Sequence, residues 1–155
     1  MSVREKPSLD NNFHIAHAQL LADSYHRLTK KELLGTCARE DLARELFEAP
    51  FGLVSHGTDS NPVFNYGNST ALAAFEMEWA DFVCLASRDS AEAVNQEERE
   101  LLMTKVKRDG YIDNYRGIRI SAKGRRFWIE RATIWNVIDG AGIYCGQAAV
   151  FFLEE

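Results

Sequence analysis

The stretch FGLVSHGTDSNPVFNYGN, residues 51–68, decides how this chain folds. Its two apolar segments, residues 51–55 and 63–66, are joined by a connection rich in Gly, Asp, Ser, Asn and Pro, which all favour turns. Asn68 or Ser69 can then accept hydrogen bonds from the first free amides of a helix. The stretch therefore predicts a β-hairpin that leads directly into a helix.

The residues before the hairpin have the apolar spacing of two amphipathic helices. The first is predicted at residues 13–28. The second, at residues 39–49, ends before Pro50, because proline forces the preceding residue out of the α region. The chain is therefore predicted to divide into a flexible N-terminus at 1–12, a helical extension at 13–49 and a main domain at 50–155.

Three further helices are predicted after the hairpin. The first carries Leu72 and Phe75, and a short one, WADFVCLA, follows it. The third has the clearest ends, since Asn95 and Glu98 have the spacing of a capping box and Gly110 can adopt the left-handed conformation that terminates a helix. The middle of the chain is therefore predicted to be helical.

From residue 111 the period of the apolar residues changes to two, which is typical of strands. Strands are predicted at residues 111–121, 125–138 and 143–153, and the short turns between them indicate an antiparallel meander. Both faces of this meander carry apolar side chains, whereas an antiparallel sheet usually leaves one face in water. The middle helices can cover one face, and the N-terminal helices or a partner subunit can cover the other.

The composition is that of an ordinary globular protein. The 155 residues include 18 basic and 23 acidic side chains, and the formal net charge of −5 gives no broad footprint for nucleic acid. No apolar run approaches the roughly 20 residues that cross a bilayer, and no signal-peptide core is evident, so we expect a cytoplasmic protein. The three cysteines lack the spacing of a metal site or disulfide framework and are expected to be free thiols.

The order of these elements is similar to that of a PAS domain. In detail the sequence resembles the MEKHLA domain, a PAS-like family found in small stand-alone bacterial proteins and at the C-terminus of plant class III homeodomain leucine-zipper proteins. The matching segments, within about residues 20–152, are LFEAPFGLVSHGTDSNPVFNYGNSTAL, AVNQEER (PVNREER in the family), DGYIDNYRGIRIS, GRRFWIE and WNVIDGAGIYCGQAAVF. The resemblance implies an α+β fold, with a PAS-like five-stranded antiparallel sheet, helices on one face and an N-terminal helical extension. It implies a sensory or regulatory role and specifies no ligand or reaction.

The resemblance does not extend to flavin chemistry. In the light-oxygen-voltage subfamily of PAS domains, two strand asparagines, a final-strand glutamine and a reactive cysteine serve the flavin. The two asparagine positions correspond here to Arg119 and Ile129, and Cys84 lacks the flanking Asn and Arg of that motif. Gln147 is displaced by one residue, so strand alternation predicts that it points to the other face. Neither flavin nor haem is supported, and the cofactor stays unknown.

Strand alternation predicts a ligand pocket that contains arginines. If Arg119 faces the pocket, alternation turns further side chains inward. The predicted ligand-binding residues are Arg119, Arg131, Tyr115, Phe127, Trp135 and Phe75. Arginine presents a planar fork that suits carboxylate or phosphate, so we expect Arg119 and Arg131 to hold a small anionic or aromatic ligand. In the alternative, these arginines pair with Asp113 or Glu130, or lie at a strand edge in water.

The histidines provide weaker indications of chemistry. His56 and Asp59 could form a general base with its orienting carboxylate, but they fall in the predicted hairpin loop without a positioned nucleophile, and a loop-capping role is expected. His14 and His17 could share a helix face, but a stable metal site normally needs three or four ligands. No catalytic or metal-binding residue is therefore assigned.

The sequence favours a sensory or protein-interaction module that is not an enzyme. We expect a homodimer with a small-molecule ligand and an unidentified protein effector, and neither nucleic acid nor membrane as partner. Two alternatives stay open. The protein could be a small enzyme or carrier that uses the same cavity for an acidic metabolite, or a purely structural dimerisation module whose cavity is filled by Phe75, Phe127 and Trp135.

Overall fold

The computed structural model describes residues 5–154, apart from the side chain of Ala93. The helices are α1 (Ile15–Thr29), α2 (Leu42–Phe47), α3 (Ser69–Phe75), α4 (Trp79–Phe82) and α5 (Ala93–Asp109). The strands are β1 (Gly52–His56), β2 (Phe64–Gly67), β3 (Tyr111–Ile120), β4 (Arg126–Ile138) and β5 (Tyr144–Leu153). Short 3-10 segments lie at Leu9–His14, Arg39–Asp41 and Ser87–Ser90. No helix in this described part is both long and apolar enough to span a membrane.

The five strands form one antiparallel sheet in the order β2-β1-β5-β4-β3. The hairpin β1–β2 pairs with the meander through β5, so that the first and last strands of the chain lie side by side. This arrangement confirms the predicted α+β fold with a five-stranded antiparallel sheet. The flexible terminus predicted at 1–12 falls partly on residues 1–4, which lie outside the described residues, and stays a prediction.

Asn68 joins the hairpin to α3 as the sequence predicts. It is the N-cap of α3, and its side-chain oxygen accepts a hydrogen bond from the backbone N–H of Ala71 at 3.1 Å. The same oxygen accepts from the backbone N–H of Leu53 in β1. One buried amide therefore satisfies a free donor of the helix and ties that helix to the sheet.

The start of α5 differs from the prediction. The N-cap is Glu92, without a side-chain hydrogen bond, and the backbone N–H of Asn95 donates to the Glu92 carbonyl at 2.8 Å. The capping box predicted at Asn95 is wrong, because the helix already includes Ala93. The predicted end is confirmed, since Gly110 has φ 99° and its N–H donates to the carbonyl of Val106.

Helices cover both faces of the sheet. On one face, the ring of Phe75 in α3 packs edge-on against Phe127 of β4, with centroids 5.0 Å apart. On the other face, Tyr25 of α1 contacts Trp135 of β4 with centroids 5.0 Å apart. The Ser24 hydroxyl of α1 also donates to the carbonyl of Ile138 at 2.7 Å. An N-terminal helix of the same chain therefore supplies the second apolar cover.

Irregular residues interrupt the alternation of the long strands. Asn114 in β3 and Arg131 in β4 have positive φ of 54° and 48°, and the strand pairing shifts register at both places. A β-bulge of this kind inserts an extra residue, so the side chains beyond it exchange faces. The faces of β4 beyond Arg131 therefore differ from those that simple alternation predicts.

Candidate functional site

A cavity of about 50 Å³ lies between the sheet and the helices that follow the hairpin. Its apolar lining includes Val54, Phe64, Phe75, Ile129, Ile134 and Phe151. Its polar lining includes His56, Arg99, Arg119, Gln147 and three serines. The cavity therefore combines an apolar floor on β1, β5 and β4 with a small number of strongly polar groups.

Arg119 reaches the cavity from the edge strand β3. It is only 6% exposed, and its Nη1 donates to the carbonyl of Ile118 at 2.8 Å. Its guanidinium also lies 5.7 Å from the ring centroid of Tyr115, within the range of a cation–π contact. These contacts orient the guanidinium but do not neutralise its charge.

Arg99 reaches the same cavity from α5 and is 4% exposed. Its guanidinium donates to the Ser87 hydroxyl and, at 3.2 Å, to a carboxylate oxygen of Glu100. Burial lowers the pKa of Arg99, and the positive charge of Arg119 lowers it further. Arg99 and Arg119 therefore line one cavity, and both guanidinium groups stay charged at neutral pH.

The two guanidinium charges are poorly compensated from within the protein. Arg99 forms an ion pair with Glu100 at 3.2 Å, but the side chain of Glu100 is 62% exposed. Among residues 5–154, no Asp or Glu lines the cavity. Buried charges are costly unless they are paired, so the free energy of this arrangement favours an anion between Arg99 and Arg119.

His56 adds a neutral polar group to the lining. It is the last residue of β1, so the prediction that it belongs to the loop is wrong. Its Nδ1 lies 2.9 Å from the Gly57 carbonyl, which assigns the ring proton to that nitrogen. Burial lowers the pKa of His56 below its usual 6.5, while the hydrogen bond to Gly57 raises it and the Arg99 charge lowers it again.

The pKa of His56 predicts a loss of stability in acid. A histidine whose pKa is lowered by folding binds fewer protons in the folded state than in the unfolded state. Its contribution to the free energy of unfolding is therefore complete above pH 6.5 and declines as the pH falls below that value. The slope is at most about 1.4 kcal/mol per pH unit. The charged and polar groups near His56 are Arg99 and Glu100 on α5 and Gln147 on β5.

The measurement is urea unfolding of the wild type and His56→Gln between pH 7.5 and about pH 5. We expect the unfolding free energy of the variant to fall less steeply over this range. Equal slopes for the two proteins would show that His56 does not titrate with folding.

The structure brings some of the predicted ligand-binding residues together. Arg119 and Phe75 line the cavity. Phe127 lies directly behind the ring of Phe75. Tyr115 packs beside Arg119, and its hydroxyl donates to the carboxylate of Glu98 on α5 at 3.1 Å. These contacts give Phe127 and Tyr115 supporting positions around the cavity.

Two of the predicted residues lie elsewhere, and the expectation that they share a pocket with Arg119 is wrong. Arg131 is exposed, with its guanidinium 4.2 Å from the ring centroid of Phe152. Trp135 is fully buried against Tyr25 of α1. The bulge at Arg131 is the physical reason, because it turns Ile134 rather than Trp135 toward the cavity. Trp135 therefore does not fill the cavity.

The prediction for Gln147 is also wrong. It lines the cavity, and its side-chain amide donates to the carbonyl of Met103 and to the side-chain oxygen of Asn136. Gly146 has φ 138°, and the register of β4 and β5 shifts between its partner Val137 and the next residue. This irregularity changes the face on which Gln147 emerges.

Arg99 is the site residue that sequence reasoning missed. It lies in the acidic run QEERE, which favours interpretation as a solvated helix surface. Yet Arg99 precedes the buried residues Leu102 and Val106 by three and seven positions, the spacing of one helix face. An arginine on the apolar stripe of a helix was the signal that could have identified it.

A larger polar cleft adjoins the cavity. It has a volume of about 540 Å³ and lies between the β1–β2 connection, residues 57–62, and α5. The cleft and the cavity share four lining residues, which are His56, Arg99, Met103 and Gln147. The cleft therefore offers a route from solvent to the buried guanidinium groups.

Metal and thiol chemistry have little basis in the described part of the chain. Among residues 5–154, no group of three or more His, Cys, Asp or Glu side chains is placed to hold a metal ion. Cys37, Cys84 and Cys145 are free thiols, as predicted. Hydrogen bonding to Glu45, followed by burial, raises the pKa of Cys37 to about 11, which keeps this thiol protonated at neutral pH.

Sequence comparison identifies relatives over most of the chain. Residues 15–153 match the family model of the MEKHLA domain. The homeobox-leucine zipper protein ATHB-9 of Arabidopsis thaliana is 27% identical over 125 residues. That alignment covers 75% of this chain and 14% of the plant protein, so the chain spans only a small part of this relative.

Solved structures share the fold at low sequence identity. A PAS domain from Colwellia psychrerythraea has a TM-score of 0.63 and 10% identity, and the match covers 72% of this chain and 92% of that one. A light-oxygen-voltage domain studied with a flavin analogue has a TM-score of 0.62 and 14% identity, with 74% and 85% of the two chains covered. At these identities the likeness shows the fold alone.

Proposed function

Since this chain belongs to the MEKHLA domain family and has a PAS-like fold, we propose that it is a sensory module whose input is a small anion bound between Arg99 and Arg119. Arg119 belongs to the sheet and Arg99 to α5, so the proposed ligand contacts two different elements. The signal passes to a protein effector.

The observation that carries this proposal is the pair of buried guanidinium groups without a buried carboxylate. Arg99 and Arg119 are 4% and 6% exposed and line a cavity to which no Asp or Glu of residues 5–154 contributes. Removing water strengthens the interaction of a guanidinium with an anion, and two planar forks can bind the oxygens of one carboxylate or oxyanion. A bound anion therefore supplies the charge that the protein lacks at this place.

The contacts of α5 suggest how an effector protein would detect that the ligand has bound. The second half of α5 is held to the sheet by the buried Leu102 and Val106 and by hydrogen bonds from Gln147 and Asn136 to its backbone carbonyls. Its first half is held by the hydrogen bond from Tyr115 to Glu98 and by the ion pair between Arg126 and Glu92 at the N-cap. The last two contacts lie at an exposed surface, where such pairs contribute little. An anion that draws Arg99 toward Arg119 would shift the position or order of the first turns of α5, and an effector that contacts α5 would detect that change.

We expect the anion affinity to depend on both buried arginines. The wild type should bind at least one of formate, acetate, nitrate and phosphate in calorimetric titrations at constant ionic strength. Arg99→Met and Arg119→Met should each lower the affinity at least about tenfold, because each removes a charge-assisted hydrogen-bonding group from a dry site. Without anion, Arg119→Met should not melt below the wild type, since no Asp or Glu of residues 5–154 lines the cavity beside this buried charge and its replacement by an apolar side chain is often stabilising.

Arg131→Met is the matched control. This arginine lies on β4, is exposed and contacts Phe152 rather than the cavity. Its replacement should leave the affinity for the anion unchanged. The proposal is wrong if the wild type binds none of the four anions, or if Arg119→Met binds them as tightly as Arg131→Met does.

A further inference from the structure

We infer that the ligand of this cavity is a short-chain monocarboxylate, represented by acetate or propionate. This inference rests on the proposed function, because it assumes that Arg99 and Arg119 bind an anion. It narrows that function to one chemical class of ligand. Two features support it, which are the composition of the lining and the size of the cavity.

The lining of the cavity is mostly apolar, and its polar groups come from several elements. Arg119 belongs to the edge strand β3 and Arg99 to α5, which packs against β3 and β4. The three strands next to β3 form the floor. Its apolar residues are Val54, Ile129, Ile134, Ala149 and Phe151, and His56 of β1 and Gln147 of β5 add polar groups. A ligand whose charge lies beside the arginines can therefore place an aliphatic tail on apolar side chains.

The volume sets a limit on the rest of the ligand. A site for one water needs roughly 10–15 Å³, so a cavity of about 50 Å³ accommodates roughly three to five heavy atoms. Acetate and propionate are of this size. An aromatic acid is too large, and even the smallest dicarboxylate exceeds this number of heavy atoms.

An inorganic oxyanion can form hydrogen bonds with the arginines but has no apolar atoms to place on the apolar side chains of the floor. Nitrate, for example, can bind to a guanidinium, yet most of the lining surface offers its outer oxygen no hydrogen-bond donor. A methyl or ethyl group at the same place gains free energy on leaving water. The lining therefore favours a carboxylate with an aliphatic tail over an oxyanion that is polar on every side.

The test is a homologous series measured by calorimetry on the full chain at constant ionic strength. Formate, acetate, propionate, hexanoate and nitrate are titrated in turn. From formate to acetate and from acetate to propionate, the affinity should rise about threefold to fourfold at each step, the effect of burying one carbon. Hexanoate should bind more weakly than propionate, because its tail exceeds the cavity.

Ala149→Val provides a second readout. Ala149 lies on the floor, and the two added methyl groups occupy space that the ligand tail would use. This variant should lower the affinity for propionate several-fold and change that for formate much less. Ala141→Val in the exposed β4–β5 turn is the control and should change neither affinity.

The outcomes separate this inference from the function on which it rests. If nitrate and formate bind the wild type as tightly as propionate, the anion site stands and the monocarboxylate inference is overturned. If neither a member of the series nor phosphate binds, the proposed function itself fails; if phosphate alone binds, the anion site stands and the monocarboxylate inference is overturned. If affinity rises with chain length up to propionate and the rise disappears in Ala149→Val, the inference is supported.

Discussion

Gly146→Ala is expected to lower the free energy of unfolding by about 3 kcal/mol or more, enough to unfold a marginally stable domain. A Cβ at this position would overlap the carbonyl oxygen of His56 on the neighbouring strand β1. Gly146 also has φ 138°, a conformation that residues with a side chain rarely adopt. The clash is with backbone, so the pairing of β1 and β5 must move to relieve it.

Gly124→Ala separates the two causes. Gly124 lies in the turn between β3 and β4 with φ 82°, and nothing lies within 4 Å of the position that its Cβ would take. This variant tests backbone conformation alone and should cost only about 1 kcal/mol. Urea unfolding of the two variants and the wild type provides the comparison. If Gly146→Ala and Gly124→Ala lowered the free energy of unfolding by similar amounts, the close approach of β1 and β5 at Gly146 would not contribute to the effect.

Most elements of the fold were predictable because their signals are local. The period of apolar residues distinguishes the helices before the hairpin from the strands after residue 111, and the structure confirms both. Asn68 and Gly110 mark a helix start and a helix end by their own chemistry, which needs no tertiary contact. The antiparallel order of the last three strands follows from the short turns between them.

The faces of the long strands were less predictable because they depend on pairing. Asn114 and Arg131 adopt positive φ, yet neither residue type requires it, and the bulges are held by the regular pairing on either side. One inserted residue reverses every later side chain, so Trp135 and Ile134 exchange the faces that alternation assigns to them. Arg131 leaves the cavity for the same reason.

The candidate site was half predictable. Arg119 was identified through its position on β3, where the pairing with β4 is regular from Gly117 opposite Ile129 to Arg119 opposite Phe127. Arg99 was missed because all five residues of QEERE are charged or polar, which favours interpretation as a solvated surface. The spacing that places Arg99 on the same helix face as Leu102 was not considered. Arg99 and Arg119 belong to different elements, so only the folded structure shows that they line the same cavity.

Asn68→Asp is expected to lower the free energy of unfolding by about 4 kcal/mol at neutral pH. Asn68 is fully buried, and its amide group donates to the carbonyls of Leu46 and Phe51 while its oxygen accepts from Leu53 and Ala71. Aspartate has nearly the same shape but no N–H. Two buried carbonyls would then lose their donor and face a carboxylate oxygen, and the charge would have no cation beside it.

The loss should be smaller in acid than at neutral pH. Burial and the two facing carbonyls favour the protonated carboxyl group, so the folded pKa of Asp at this position would lie above the unfolded one. The contribution of the protonated carboxyl group to the free energy of unfolding is complete below the unfolded pKa and is lost as the pH rises through the folded pKa. The difference between variant and wild type should therefore shrink as the pH is lowered from about 8 toward 4.

Asn61→Asp is the matched control for this prediction. Asn61 lies in the exposed β1–β2 connection, and the same chemical change there should alter stability by no more than about 0.5 kcal/mol. Urea unfolding at several pH values measures both variants against the wild type. If Asn68→Asp were as stable as Asn61→Asp at neutral pH, the buried amide would not be what joins α2, β1 and α3. A loss confined to Asn68→Asp and relieved in acid would assign that role to its two amide donors.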